Sequence, residues 1–190
     1  MKKPFILDQL FQQQDFTNTP LAKGDYENCR FVDCKFDKGF LDNHNFVECS
    51  FEGCDFTNTN IAHTIFNDVT FVDCKMVGLQ FETCNALLCT FQFKGCNLSV
   101  ASFYGMNLPQ TLFEDCKLHQ VDFSQAQLKR CSFAESDLKD AIFDGTDLEQ
   151  ADFGSAYNFN IDPTVNRLKK SKFSKDGLIG LLKKYDIVVT

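Results

Sequence analysis

The chain has 190 residues, 44% of them hydrophobic, with 22 phenylalanines, ten cysteines and no tryptophan. That is material for one domain, and a hydrophobic set dominated by one residue type points to repetition rather than an irregular core. A formal net charge of -7 excludes nonspecific capture of nucleic-acid phosphates, so no nucleic acid is expected as a partner.

The N-terminal run Met1-Lys2-Lys3-Pro4-Phe5-Ile6-Leu7-Asp8 carries too short an apolar stretch for a signal peptide. No segment approaches the roughly 18 apolar residues of a membrane helix. The expectation is a soluble, cytoplasmic protein whose cysteines are thiols, with residues 1–10 as an N-terminal cap.

From Phe11 the apolar residues recur every five positions: Phe11, Phe16, Leu21, Tyr26, Phe31, Phe36, Leu41, Phe46 and onward through Ala86 to Phe91. The period slips by two at Gln92-Phe93-Lys94-Gly95, then runs from Leu98 through Phe103, Leu108 and Phe113 to Phe153. Two residues before the centre usually sits a small one, and all ten cysteines fall on that position. A period of five is neither helical (3.6) nor that of a flat strand (2.0). It fits a chain that turns a corner every five residues, with centre and small residue pointing inward.

Centres 20 apart repeat their type. Phe11, Phe31, Phe51, Phe71 and Phe91 form one column, continued by Phe113, Phe133 and Phe153; Leu98, Leu118 and Leu138 form another. The expected fold is therefore all-β, a right-handed quadrilateral β-helix of about seven coils over residues 11–157. With a spacing of about 4.8 Å between coils it would be roughly 34 Å long.

Cysteines 20 apart, such as Cys29/Cys49, stack with parallel Cβ vectors that suit disulfides poorly, and no Cys-x-x-Cys pair offers zinc spacing. They are read as small hydrophobes, with no metal and no cofactor. His63 and His119 fall on outward positions, and His44 on an inward one as a local distortion. Leu87 and Leu88, beside Ala86, fall outward and suggest a disturbed register. No nucleophile–base set and no phosphate-binding glycine loop is present, so no catalytic residue is assigned and the protein is read as a non-enzyme.

The outward charges carry more. Beside the Phe column lie Asp33, Glu52, Asp73, Glu114, Asp115, Glu135 and Asp152, against one base, Arg30. These acids either keep a rod soluble or form a one-sided stripe that imitates a phosphate backbone.

After Phe153 the repeat is read as ending. Residues 158–190 are expected to form a helical capping and dimerisation segment, basic where the rest is acidic: 7 bases against 3 acids after residue 160, 12 against 23 before it. Asp162-Pro163 predicts one helix start, with Val165 and Leu168 on one side. Ser174 would cap a second helix carrying Leu178, Ile179, Leu181, Leu182 and Tyr185. Ile187-Val188-Val189 reads as a short strand. Such a segment would cover the open end of the coil, in one chain or against a second copy.

The five-residue unit, as in Cys131-Ser132-Phe133-Ala134-Glu135, resembles that of the pentapeptide-repeat family. The segment Asn160-Ile161-Asp162-Pro163-Thr164-Val165-Asn166-Arg167, with the terminal Ile187-Val188-Val189, resembles the tail of its quinolone-resistance (Qnr-type) and microcin-immunity branch. The resemblance implies a homodimer joined at this end. It also implies that the acidic stripe mimics DNA toward DNA gyrase or topoisomerase IV, protecting the enzyme from quinolones or toxins. The rival expectation is a scaffold for another protein partner, using outward apolar positions such as Val32, Phe40, Val72 and Leu112.

Overall fold

At the second residue after nearly every centre the backbone turns left-handed. In one coil these residues are Asp33, Lys38, Asn43 and Glu48, with φ of 51°, 53°, 62° and 52°. Between these corners the chain is extended for too few residues to do anything but stack on the coil below. The result is a four-sided parallel solenoid of about eight turns. The computed structural model describes residues 3–85 and 89–188.

Each side is named here by its inward column. The first side holds β1 (Phe5–Leu7), β3 (Asp25–Glu27), β5 (Asn45–Val47) and β7 (Ile65–Asn67), paired in parallel in that order. The second holds β2 (Leu10–Gln12), β4 (Arg30–Val32), β6 (Ser50–Glu52), β8 (Val69–Val72), β9 (Phe91–Lys94) and β10 (Leu112–Glu114). The third and fourth sides are joined by single bridges such as Asp15↔Lys35 and Phe40↔Asn60. On the second side nine rings stack from Phe11 to Phe173, with neighbouring centroids such as Phe11–Phe31 at 4.7 Å and Phe93–Phe113 at 5.2 Å. Each such buried ring contributes about 1.5–3 kcal/mol.

The small position has a second role beyond its size. Cys34 Sγ donates to the Phe11 carbonyl at 3.5 Å, Cys54 to Phe31 at 3.4 Å and Thr64 Oγ1 to Leu41 at 2.6 Å. Ser136 does the same to Phe113 and Thr146 to Phe123. A polar atom there binds the carbonyl of a centre one coil below, so the cysteines are donors as well as small hydrophobes. His44, expected to distort the coil, obeys the same rule: its Nε2 lies 3.3 Å from the Leu21 carbonyl oxygen. Its ring stacks on Phe46, and its buried Nδ1 has no partner.

The two extra residues are not at 92–95. Phe71 pairs with Phe93, and Phe93 with Phe113, so β9 is in register on both sides. Asn85 still bonds back to Thr64 with the ordinary offset, whereas Thr90 bonds to Phe66 with the enlarged one. The insertion therefore falls between Asn85 and Phe91. Phe91 fills the small position beside Val69, and Cys89 is displaced from that position, donating to Asn85 at 3.1 Å. Gly95, at φ +63°, fixes Phe93 as the centre because the corner residue must lie two after it. Ala86, Leu87 and Leu88 lie outside the described residues.

Both ends also differ from expectation. Residues 5–7 and 10–12 are strands of the first coil, with Ile6 as a centre paired to Tyr26, rather than a separate cap. The coil does not stop at Phe153. Asp147 bridges Arg167, and β11 (Asp152–Phe153) pairs with β12 (Lys172–Phe173). The expected helix at Asp162-Pro163 is a turn in which Asp162 Oδ1 accepts from the Thr164 amide, and Asn166 takes the small position by donating to Phe143. The second helix is two short 3-10 segments, Asp176–Leu181 and Lys183–Tyr185. Ile187 and Val188 form no strand, and Val189 lies outside the described residues.

Candidate partner-binding surfaces

The corrected register changes the acidic stripe. All seven acids do lie on the second side, but it also carries Lys94 and Lys172. Arg30 pairs with Glu52 at 3.0 Å, Lys94 with Glu114 at 3.0 Å and Lys172 with Asp152 at 3.1 Å. The Asp152 carboxyl is held below the usual range by the Gly154 amide and then by Lys172; Glu114 raises the Lys94 ammonium. What remains is a corner column, Asp33, Asp73, Asp115 and Glu135, exposed and without an ion pair among the described residues.

The third side shows the opposite arrangement. Asp15, Lys35, Asp55 and Lys75 alternate up one column of bridges, and Lys75 meets Asp55 at 3.2 Å. His119 Nε2 sits 2.7 Å from Asp137 on the same side, and Asn158 donates to the other oxygen of that carboxylate. Burial opposes the ionised Asp137, and the His119 and Asn158 bonds outweigh it, keeping the carboxyl low. Among the described residues no group of three His, Cys, Asp or Glu is arranged to hold a metal ion, and no helix is long and apolar enough to cross a membrane.

The C-terminal segment lies on the last coil. The Gly180 carbonyl accepts from the Ile161 amide at 3.0 Å, and Leu181 packs against the core. A Cβ on Gly180 would stand 2.5 Å from the Phe159 ring, so only glycine lets the segment sit this close. Leu178, Ile179, Leu182 and Tyr185 face outward, with Tyr185 52% exposed. Of the apolar positions expected outside, Phe40 and Leu112 are exposed but on different sides, and Val32 and Val72 are half-buried. They form no common patch.

A sequence profile described as "Pentapeptide repeat region" matches residues 44–115 and 88–155, more than half of the chain. The chain belongs to the pentapeptide-repeat family. Among solved members of this fold, a trypsin-treated variant of QnrB1, a plasmid-mediated fluoroquinolone resistance protein, superposes with a TM-score of 0.63 at 13% identity, over 98% of this chain and 100% of that one. Full-length QnrB1 gives 0.55 at 16% identity over 97% and 100%. HetL, involved in heterocyst differentiation regulation in Nostoc sp. strain PCC 7120, gives 0.56 at 17% identity over 91% and 89%. At these identities the likeness is one of fold. No match is found among curated protein sequences.

Sequence reasoning missed the corner position. It treated the second residue after each centre as unconstrained, although Asp, Asn and Gly recur there. Those residue types tolerate the left-handed region best, so the signal was present.

Proposed function

We propose that this pentapeptide-repeat protein is a non-enzymatic, cytoplasmic docking rod whose second side binds a type II topoisomerase, DNA gyrase or topoisomerase IV, in place of DNA. The observation that carries the reading is the exposed corner column Asp33, Asp73, Asp115 and Glu135, negative and without an ion pair among the described residues. The fold-level likeness to QnrB1, a fluoroquinolone resistance protein, makes a topoisomerase the first partner to test. The outward Leu178, Ile179, Leu182 and Tyr185 would join two copies end to end.

The test is gyrase supercoiling, with and without a quinolone, across a titration of this protein and of a variant carrying Asp73→Lys, Asp115→Lys and Glu135→Lys. Lysine is compatible with the corner, since Lys38 and Lys170 already occupy it. Protection or inhibition by the natural sequence that is lost in the variant is the expected result. No effect of the natural sequence at saturation, or equal potency of the variant, overturns it in favour of a scaffold for a different protein.

A further inference from the structure

The first side of the rod is electrically split. Its outward residues in the four coils from Ile6 to Phe66 include Asp8, Asp25, Glu27, Glu48 and Asp68 and no lysine or arginine. In the coils of Leu128, Leu148 and Leu168 the same side carries Lys129, Arg130, Arg167, Lys169 and Lys170 against Asp147 and Glu149. Those two acids are already engaged: Glu149 lies 3.0 Å from Lys129, and Asp147 lies 3.3 Å from Arg167. None of the five acids in the other half takes part in an ion pair among the described residues. Asp8 and Asp25 instead accept amide bonds at 2.6 Å from Asn28 and Asn45, which hold their carboxylates on the face.

We infer that this side is an interface for a second copy of the chain, packed side by side and antiparallel. A two-fold axis lying in the plane of contact and at right angles to the rod, near its middle, sets the acidic half of each copy against the basic half of the other. With the coil of Asp25 and Glu27 set against that of Arg167, Lys169 and Lys170, Asp68 faces the coil of Lys129 and Arg130, and Glu48 lies one coil from them. A C2 contact must be self-complementary, and a face negative at one end and positive at the other meets that condition by itself. A partner of one charge sign would match only half of it. Asn107, Pro109 and Gln110, which lie between the two halves, are uncharged. This contact is distinct from the apolar C-terminal tip and leaves the second side free.

Zero-length carbodiimide cross-linking of the full chain, mapped by peptide mass spectrometry, reads it directly. Within one copy Glu27 and Lys169 are seven coils apart, roughly 34 Å at about 4.8 Å per coil, so any bond between them joins two molecules. Such cross-links are expected at low salt, with sedimentation showing a doubled mass that reverts by 500 mM NaCl, an illustrative ~3–5 Å screening regime. Two variants complete the test: Asp25→Lys/Glu27→Lys/Glu48→Lys, and Lys129→Glu/Lys169→Glu/Lys170→Glu. Each alone should lose the salt-sensitive step, and a mixture of the two should regain it as a heteromer. Absence of cross-links between the halves, mass independent of salt, or failure of the mixture to associate while each variant melts cooperatively overturns the inference. Association through the C-terminal tip is apolar and would persist in both variants, so the two contacts are separable.

Discussion

Lys184 Nζ sits 2.8 Å from both carboxylate oxygens of Asp162 and 2.7 Å from Thr164 Oγ1. The contact ties the 3-10 segment to the turn of the last coil, a second fastening beside the seat of Gly180 on Phe159. The Lys184 bond, then those of Thr164, hold the Asp162 carboxyl down to about 2. A carboxylate whose folded value lies below its unfolded value stabilises above the unfolded value, near 3.8, and that contribution disappears as pH falls from about 4 to about 2. Lys184→Met should therefore raise hydrogen exchange over residues 176–186 at neutral pH while the rod stays protected. Acid should reproduce the effect in the natural sequence and add nothing in the variant.

The bond from each small residue to a carbonyl one coil below makes a stability prediction. Thr146→Val keeps the shape of the side chain and strips the 2.9 Å bond to the buried Phe123 carbonyl. The carbonyl keeps its bond from the Ala126 amide at 3.1 Å, so the loss is that of one hydrogen bond, about 0.5–1.5 kcal/mol, which thermal melting would register as a lower Tm. The converse change, Val121→Thr, places a hydroxyl at the same kind of position and should leave stability unchanged or raise it. No loss in Thr146→Val would mean that size alone governs the site.

Val100 stands at a corner with φ of 53°, where a β-branched side chain is strained. Val100→Asn, which matches Asn43, Asn58 and Asn28 at equivalent corners, should stabilise the protein by on the order of 1 kcal/mol. A melting temperature that falls instead would show that Val100 contributes packing greater than its strain.

The five-residue period and the 20-residue column were legible because burial of one large side chain per corner leaves little else for sequence to do. Errors arose where two readings satisfied burial equally. Phe91 and Phe93 both point inward, so counting in fives from Phe71 reached the wrong ring, and only the glycine at 95 distinguishes them. The last coil was hidden for a related reason: Pro163 and Asn166 break the apolar pattern, yet Asn166 supplies its amide where cysteine or threonine normally donates. Leu168 and Phe173 still fall 20 after Leu148 and Phe153. The seven acids share the second side, but the misplaced slip hid Lys94 and the misplaced end hid Lys172, so the stripe read as more one-sided than it is. The split of the first side shows only when charge is followed along that side from one end to the other, because the acids and bases lie in different coils.

Buried thiols whose protons burial holds make the protein sensitive to alkali in a defined direction. Burial pushes Cys49 up to about 11 and Cys131 up to about 12, and Cys131 also donates to the Leu108 carbonyl at 3.0 Å. A thiol whose folded value is raised binds its proton more tightly in the folded state. Its contribution is complete below the unfolded value near 9 and is lost as pH rises through the folded one. The melting temperature should thus decline between about pH 9 and pH 12, beyond what a cysteine-free repeat rod shows. For Cys131 the shift corresponds to roughly 4 kcal/mol at most. Cys131→Ala, a residue already present at the equivalent Ala126 and Ala151, should flatten the decline even if it lowers stability at pH 7. The Cys131→Ala variant should lose one thiolate from the 240 nm absorbance that appears with alkaline unfolding, and none from the folded protein at pH 9. Titration of the thiols near pH 9 in the folded state would mean that the interior admits water and hydroxide, and that the small position is not sealed.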